Sequence, residues 1–559
     1  MKGEFLNMST RLKPKLLSVM KTYNKAQFIK DIIAGLIVAI IALPLSIALA
    51  ISSGVSPEQG LYTAIIAGFF ISLLGGSRVQ IGGPSATFMV VVYGVVATHG
   101  TEGLLITTIL AGLILILFGL LKLGSMIKYI PYPITVGFTS GIALTIFSSQ
   151  IKDFFGMDIG AVPTEFVDKW IFYFESIDKT RLLPSLIGAL ALVILIFWPR
   201  INKKIPGSLI AILVTTLLVF ILKLDVQTIG SQYADLSSSF PKPSIPNFTW
   251  KKIQVLLSPA FTIAFLCSIE SLLSAVVSDG MIGSKHRSNM ELVAEGIANI
   301  ASGLFGGMPA TGAIARTVAN IKNGGRTPIS GIIHALTLLF ILLFVMPLVK
   351  LIPLATLAAI LIMVSYNMSE WRTFKTLLSA PKSDVIVLLV TFFLTVLFDL
   401  TLAISFGMVL SSFLFMKRMT DVTDIHGLNK DMDDDDDEIE LLDDELKEVL
   451  SDKVLIYEIN GPFFFGAAEK FLDSIQSLQG PSKVLIIRLR NVPVIDATAV
   501  HALGLLHDKC IKSNTVLILS EMMDKPYQVI ERVGLVNQIG KNQVCDCLDE
   551  AITKAKSLV

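Results

Sequence analysis

The chain has 559 residues, of which 53% are hydrophobic and 16% charged, and its formal net charge is +1. Soluble domains contain about 25% charged residues, so this composition and a mean hydropathy of +0.70 exclude a wholly soluble protein. The balanced charge lacks the basic excess of nucleic-acid-binding proteins, and no nucleic-acid partner is expected.

Residues 1–31 are rich in lysine and contain no cleavable signal before the apolar segment Ile32–Ile51. Basic flanks favour the cytoplasmic side of a membrane. We therefore expect 1–31 to be a cytosolic N-terminal segment and Ile32–Ile51 to be an uncleaved first span.

Apolar segments fill most of residues 32–417, which we assign to one transmembrane domain. The clearest spans are Ile32–Ile51, Leu104–Leu121, Ile134–Gln150, Leu186–Trp198, Leu209–Leu222, Ile263–Val277, Ile332–Leu351 and Val385–Met416, the last long enough for two spans. Weaker segments are Tyr62–Leu74, Ala86–Val96, Leu292–Phe305, Thr311–Ile321 and Leu354–Ser365. Together they predict an all-α polytopic domain of about 14 segments, several too short to span alone.

Clusters of lysine and arginine give an independent check on topology. They follow the sixth, eighth and twelfth segments, which an even count from a cytosolic N-terminus places inside. We expect a multi-pass protein of the cell (plasma or inner) membrane with both termini in the cytoplasm.

Two short segments open with similar glycine- and proline-containing motifs. Gly82–Thr87 opens the third segment and Gly306–Gly312 opens the tenth. An odd number of segments separates them, so the two halves have opposite orientations, as an inverted repeat requires. Such interruptions at matching places in two halves indicate a transporter binding site. Two ordinary loops are the alternative.

Two half-helices that face each other by their N-termini can replace the lost hydration of an anion. Their unpaired N–H groups and positive dipole ends converge on one point. Ser85 and Thr311 lie near the two openings and can add hydroxyl donors. The pattern therefore predicts a site for a small anion in the middle of the membrane.

Arg316 lies about one turn beyond Thr311 in the tenth segment. A guanidinium in a membrane segment costs roughly 2.5–3.5 kcal/mol or more, which implies a partner. Attraction to the bound anion is the functional interpretation. An ion pair with an acid, or extension of the side chain to the cytosol, is the alternative.

Glu270 lies within the apolar run Phe261–Val277. Intramembrane acids commonly mark coupling-ion sites, so Glu270 can take a proton with the anion or hold sodium; a salt bridge with Arg316 is the structural alternative. Ser274, one turn later, is expected to support the orientation of Glu270. Asp279 and Glu295 lie nearer segment ends and are expected to be solvated.

The composition changes after the last span. Residues 418–452 form an acidic linker, and 453–559 form a small α/β domain. The pattern predicts strands and helices at Val454–Ile459, Ala467–Leu478, Val484–Arg490, Ala499–Ile511, Thr515–Ser520 and Tyr527–Val533.

Asp496 precedes a helix of this domain and is predicted to cap it; phosphorylation of Thr498 is an alternative role for the same stretch. We find no nucleophile–base–acid triad, P-loop or paired zinc ligands, so we expect no enzymatic activity, no cofactor and no metal. The four cysteines are expected to be free thiols on the reducing side of a membrane.

The chain resembles the sulfate permease (SulP) family. The likeness rests on Ala42–Ser46, Gly82–Thr87, Phe305–Arg316 and a C-terminal STAS domain around Val494–Thr498. It implies a seven-plus-seven inverted repeat with core and gate subdomains, an elevator-like movement, and a homodimer in membrane lipid. Other stretches, such as Asn367–Glu370, resemble the bacterial dicarboxylic acid transporters of that family, whose STAS domains can bind acyl carrier protein.

The resemblance also implies site residues. By alignment to the family motifs, the site is lined by Ala42, Leu45, Leu49, Ser85, Ala313 and Ala315, with Arg316 behind. Some relatives have an acid or amide where this chain has Leu45, so a proton role there is excluded and Glu270 is the leading candidate. Ala497 stands where related domains have a phosphorylated serine, which excludes that switch.

These inferences predict a secondary active transporter that takes up succinate, fumarate or aspartate with protons. A sodium-coupled bicarbonate transporter or a sulfate transporter is the alternative. A membrane-anchored STAS regulator without transport is a further one.

Overall fold

The computed structural model describes residues 12–125, 131–160, 162–163, 165–202, 205–233, 237–398, 400–427, 453–476 and 482–559. The chain divides into two compact units, with the boundary between Met408 and Val409. Most of the predicted acidic linker, 418–452, lies outside the described residues.

The first unit is built of helices. In chain order they are α1 Lys15–Val19, α2 Lys25–Ser52, α3 Pro57–Leu74, α4 Met89–Leu120, α5 Tyr132–Ser149, α6 Ile151–Phe154, α7 Phe166–Glu175, α8 Leu182–Ile201, α9 Gly207–Leu222, α10 Ile229–Gln232, α11 Trp250–Ile282, α12 Ser288–Leu304, α13 Ile314–Lys322, α14 Ile329–Phe344, α15 Met346–Val349, α16 Leu354–Met368, α17 Trp371–Leu377, α18 Lys382–Leu397 and α19 Leu400–Val422. The last contains the boundary between the units.

Eight helices within the described residues are long and apolar enough to cross a bilayer, and α9 and α14 are shorter apolar helices. α4 is interrupted at Gly100, whose backbone is not helical, so a short helix precedes a full span. The apolar run Val385–Met416 forms two helices, since α18 ends at Leu397 and α19 begins at Leu400. The prediction of a mostly helical membrane domain is confirmed.

Close contacts between small residues bring the helices of this unit together. A Cβ on Gly112 of α4 would lie 2.6 Å from the carbonyl oxygen of Gly296 in α12, and a Cβ on Gly296 would lie 2.5 Å from that of Gly112. Only glycine permits this separation, as at many membrane helix crossings. The contact holds α12 against α4, which begins at the third-segment motif.

Two three-residue strands lie between the helices. β1, Gly82–Pro84, precedes α4, and β2, Ala310–Gly312, precedes α13. They pair antiparallel, with Gly83 opposite Thr311. The two motifs found in the sequence therefore meet in the folded unit, and their antiparallel course is the relation that an inverted repeat requires.

The second unit is a small α/β fold. Its sheet has the order β3 Asp424–Gly427, β4 Val454–Asn460, β5 Val484–Asn491, β6 Val516–Ser520 and β7 Val544–Cys545. β3 is antiparallel to β4, and the remaining pairs are parallel. The helices are α20 Phe465–Gln476, α21 Ala497–Lys512, α22 Asp524–Val533, α23 Leu535–Ile539 and α24 Leu548–Leu558.

Apolar residues of both sheet faces are buried in this unit. Tyr457, Ile459, Leu485 and Ile487 belong to one cluster and Ile456, Ile486 and Ile518 to another, as strand alternation requires. The predicted cap is confirmed: Asp496 accepts a hydrogen bond from the Ala499 N–H at 2.8 Å.

Candidate functional site

Ser85 and Glu270 meet beside the paired strands. Ser85 follows β1 and precedes a 3₁₀ turn, Ala86–Phe88. Its Oγ donates to Glu270 Oε1 at 2.7 Å and to Oε2 at 2.8 Å, so one hydroxyl hydrogen is shared between both oxygens. Ser85 is buried, whereas Glu270 of α11 is only half-buried. A carboxylate thus lies at the start of the third-segment helix, and part of it stays accessible.

Arg316 occupies the first turn of α13 and is 1% exposed. Its Nη2 donates to the carbonyl oxygen of Pro84 at 3.0 Å. Its Nε and Nη1 have no hydrogen-bond partner within the described residues. The Ala313 side chain cannot cap α13, so the first N–H groups of this helix are not satisfied by a capping side chain.

Gly83 makes room for the guanidinium. A Cβ at this position would lie 2.0 Å from Arg316 Nη1, closer than any side chain tolerates. Gly83 therefore allows the buried Arg316 guanidinium to lie against β1. It also keeps a side chain away from the paired strands.

Neither alternative interpretation of Arg316, an ion pair with an acid or extension of the side chain to the cytosol, agrees with the structure. In the described part of the chain Arg316 forms no ion pair with Glu270 or another acid, and at 1% exposure it does not extend to solvent. A buried cation without a bonded counter-charge is costly. The arrangement therefore favours an anion that arrives from outside the protein.

The other expected lining residues differ in exposure. Leu45 and Ala313 are half-buried and Ala315 is exposed, whereas Ala42 and Leu49 are fully buried. The exposed and half-buried members are compatible with contact to a bound solute. Ala42 and Leu49 contribute packing in this structure, and contact between them and a solute would need a different conformation.

Thr311 and Ser274 do not have the partners expected from the sequence. The Thr311 hydroxyl, fully buried in β2, donates to the Cys267 carbonyl oxygen at 3.1 Å, so it is not an available donor. Ser274 donates to the Thr317 hydroxyl at 3.3 Å and does not contact Glu270. Both corrections have one cause: each side chain bonds a neighbouring helix across the unit.

A cavity of about 1040 Å³ begins one turn beyond Ser85. None of the expected site residues lines it. Its walls come from several helices and connecting segments, and they include Ser52, Met89, Val90, Tyr93, Thr145, Ser149, Lys152, Asp153 and Lys169. Met89 and Val90 connect this lining to the third segment, in which they follow Ser85 after the 3₁₀ turn.

Glu295 was expected to be solvated, and this is wrong: it is fully buried. α12 begins at Ser288, earlier than the apolar pattern suggested, so Glu295 lies well inside the helix. Glu291, Glu295 and Asn299 are all buried and share one helical face; their four-residue spacing is the signal that could have predicted a polar stripe. Asp279, in contrast, pairs with His286 at 2.7 Å.

The comparisons with known proteins cover both units. The sulfate permease family profile matches residues 28–391, and the STAS domain profile matches 447–551. The Bacillus subtilis protein YvdB, whose name describes it as a candidate sulfate transporter, is 39% identical over 95% of this chain and 98% of its own. The bicarbonate transporter BicA of a Picosynechococcus species is 30% identical over 96% of each chain.

Solved structures give the same fold. The transmembrane domain of a cyanobacterial BicA superposes with a TM-score of 0.62 at 33% identity, covering 68% of this chain and 98% of that one. The structure of SLC26A9 superposes with a TM-score of 0.85 over 100% of this chain and 94% of that one. At 18% identity the second likeness concerns the fold alone.

Proposed function

Because the chain belongs to the sulfate permease family and carries a STAS domain, we propose that it is a secondary active transporter of small anions that takes up dicarboxylates with protons. Succinate, fumarate and aspartate are the proposed substrates. Ser85, Arg316 and the N-terminus of α13 bind the anion, and Glu270 binds the coupling proton.

The bond between Ser85 and Glu270 is the observation that carries this proposal. A carboxylate already occupies the donor at the start of the third segment, with both oxygens near the same hydroxyl. The donor chemistry of the site therefore suits a carboxylate group. Arg316 lies behind it with Nε and Nη1 unbonded in the described residues, and guanidinium groups match carboxylates well.

Proton coupling follows from competition at Ser85. An ionised Glu270 holds the hydroxyl and partly offsets the charge of Arg316. When Glu270 takes a proton, the hydrogen bond that it accepts from Ser85 weakens, because a neutral acid is a weaker acceptor than a carboxylate. The hydroxyl and the field of Arg316 are then available to a substrate carboxylate. Proton and anion binding therefore favour each other, as a symporter requires.

The paired strands support an elevator-like movement. β1 and β2 join the third and tenth segments by backbone hydrogen bonds, and Arg316 bonds Pro84 across the pair. Both halves of the site can therefore move as one body. A homodimer, and acyl carrier protein as a partner of the STAS domain, remain predictions from the resemblance. Location in the cell membrane with both termini in the cytoplasm remains a prediction from the apolar segments and the basic clusters.

Transport of bicarbonate with sodium, or of sulfate, is the second candidate. The names of BicA and YvdB favour it, and hydroxyl, guanidinium and backbone N–H donors suit those anions as well. A regulator that does not transport is the third candidate, from a different class, and it requires that no anion crosses the membrane.

Flux in proteoliposomes separates the three candidates. Uptake of labelled succinate driven by an inward proton gradient, with competition by unlabelled fumarate and aspartate, supports the proposal. Sodium-dependent uptake of bicarbonate without succinate uptake supports the second candidate. Vesicles without protein measure leak. The absence of flux for every anion tested would leave the regulator.

A further inference from the structure

A second carboxyl group, outside the site proposed above, lies buried between α11 and α12. Glu295 Oε1 accepts the Ser271 hydroxyl hydrogen at 2.8 Å and lies 3.5 Å from Gln80 Nε2. Gln80 Nε2 also donates to Ser271 Oγ at 2.7 Å. Glu295 Oε2 lies 3.5 Å from Cys267 Sγ. Neutral donors thus surround this carboxyl group on two sides.

No basic side chain pairs with Glu295 within the described residues. The titratable groups that face it are Glu291, one turn earlier on α12, and the Cys267 thiol of α11. Glu291 is itself fully buried and has one carboxylate oxygen without a hydrogen-bond partner in the described chain. Two ionised carboxylates in these positions would be buried, adjacent and uncompensated, which is strongly unfavourable.

The thiol hydrogen of Cys267 does not neutralise this charge. Cys267 Sγ lies 3.3 Å from the Ala310 carbonyl oxygen, which also accepts Asn299 Nδ2 at 2.9 Å, and 3.5 Å from Glu295 Oε2. A thiol is a weak donor with a single hydrogen, so Oε2 receives at most one long and weak hydrogen bond from it.

The other side of the carboxyl group also meets a neutral donor. Gln80 donates an amide hydrogen to Ser271 Oγ, and the Ser271 hydroxyl hydrogen is donated to Glu295 Oε1. These contacts of Glu295 are thus to neutral groups, and a proton on the carboxyl group removes a buried charge that none of them neutralises.

We propose that Glu295 is a second proton-binding site of the membrane unit, and that its proton accompanies the one on Glu270. This inference rests on the proposed function. Ser271, which bonds Glu295, directly follows Glu270 on α11, so both carboxyl groups border one turn of that helix. Succinate and fumarate carry two negative charges, and two protons make the translocated load neutral. Both protons bind on the acidic side and are released on the other.

The variant Glu295→Gln tests the proposal with little change in packing. The glutamine carbonyl oxygen accepts the Ser271 hydrogen, and its amide group donates towards Cys267, as the protonated acid does. In proteoliposomes, labelled succinate and a trapped pH dye give the number of protons per substrate. Potassium gradients with valinomycin set the membrane potential.

We expect two protons per succinate in the unmodified protein and uptake that is insensitive to potential. In Glu295→Gln the proton ratio falls by half, and uptake becomes sensitive to potential because one negative charge moves. The control is Glu175→Gln, which changes an exposed acid at the end of α7 and should keep the full ratio.

Two results overturn the inference: an unchanged ratio in Glu295→Gln, or a ratio of one in the unmodified protein. The second decides the question even if the variant does not fold. Succinate uptake without any proton movement would instead reject the proposed coupling, and no succinate uptake would reject the proposed substrate. These failures are therefore distinguishable.

Discussion

The Ser85 hydroxyl donates to both carboxylate oxygens of Glu270, at 2.7 and 2.8 Å, and so joins the end of β1 to the middle of α11. A hydroxyl has one hydrogen, so Glu270 and an incoming anion compete for the same donor. The proposed coupling of proton and anion follows from this competition.

The first prediction concerns Ser85→Ala. Hydrogen bonds to charged groups contribute about 1.5–3 kcal/mol, so removal of the hydroxyl should raise the KM for succinate by roughly 10-fold or more. Ser85→Thr keeps the hydroxyl and serves as the control. Initial uptake rates in proteoliposomes at a series of succinate concentrations give the KM of each variant. Equal KM values for Ser85→Ala and the unmodified protein would exclude Ser85 from the binding site.

The second prediction uses the contact between Gly83 and Arg316. In Gly83→Ala the new Cβ would lie 2.0 Å from Nη1, so the guanidinium must leave its place against β1. Succinate uptake should be lost while the protein still reaches the membrane, as judged by fluorescence-detected gel filtration. Gly280→Ala is the matched control, because a Cβ there meets nothing within 4 Å. Full uptake by Gly83→Ala would show that the position of Arg316 is unimportant.

A third prediction concerns the capping residue of the STAS unit. Asp496 accepts hydrogen bonds from the N–H groups of Ala499 and Phe465. Loss of such a cap costs about 1 kcal/mol, so Asp496→Ala should increase hydrogen exchange in α21 of the full-length protein. Asp496→Asn, which can still cap the helix, should show a smaller effect. Unchanged exchange in both variants would contradict the assigned role.

The fourth prediction concerns thiol reactivity. Burial raises the pKa of Cys510 to about 11 and raises the pKa of Cys545, which lowers the fraction of reactive thiolate near neutral pH. Cys267 is buried and Cys547 is exposed. Maleimide at pH 7 should therefore modify Cys547 first, as peptide mass spectrometry will show, and modification of Cys510 should speed up as pH rises. Rapid labelling of Cys510 at pH 7 would be inconsistent with its burial.

The sequence predicted the parts of the site that depend on backbone conformation. Glycine and proline in Gly82–Thr87 and Gly306–Gly312 disfavour a continuous helix, and their matching places in two halves of opposite orientation predicted that the segments meet. The paired strands β1 and β2 have this relation. The resemblance placed Arg316 behind the site, and the structure has it against Pro84.

Side-chain partners could not be predicted in the same way. Thr311 bonds Cys267 and Ser274 bonds Thr317. Both partners lie on other segments, far away in the chain, where sequence spacing gives no information about contact. Glu295 was misplaced because the apolar pattern began the segment at Leu292, whereas α12 begins at Ser288. Polar residues in the first turn of a membrane helix conceal its true start.

Short elements of the STAS unit were also missed. β3 has the sequence Asp-Ile-His-Gly and β7 has only two residues. Neither is long enough to show the alternation that identifies a strand, and both are added at the edges of a sheet whose central strands, β4, β5 and β6, were predicted correctly.

Proton-driven uptake by Glu270→Gln tests the central claim most directly. Glutamine cannot exchange a proton, so accumulation of succinate driven by an inward proton gradient should fall sharply, because the coupling at Ser85 is lost and only the proton proposed on Glu295 remains. Exchange of internal for external succinate should persist, because Ser85 and Arg316 remain. The control is Glu175→Gln, an exposed acid at the end of α7, which should behave as the unmodified protein does. Undiminished proton-driven accumulation in Glu270→Gln would contradict the account.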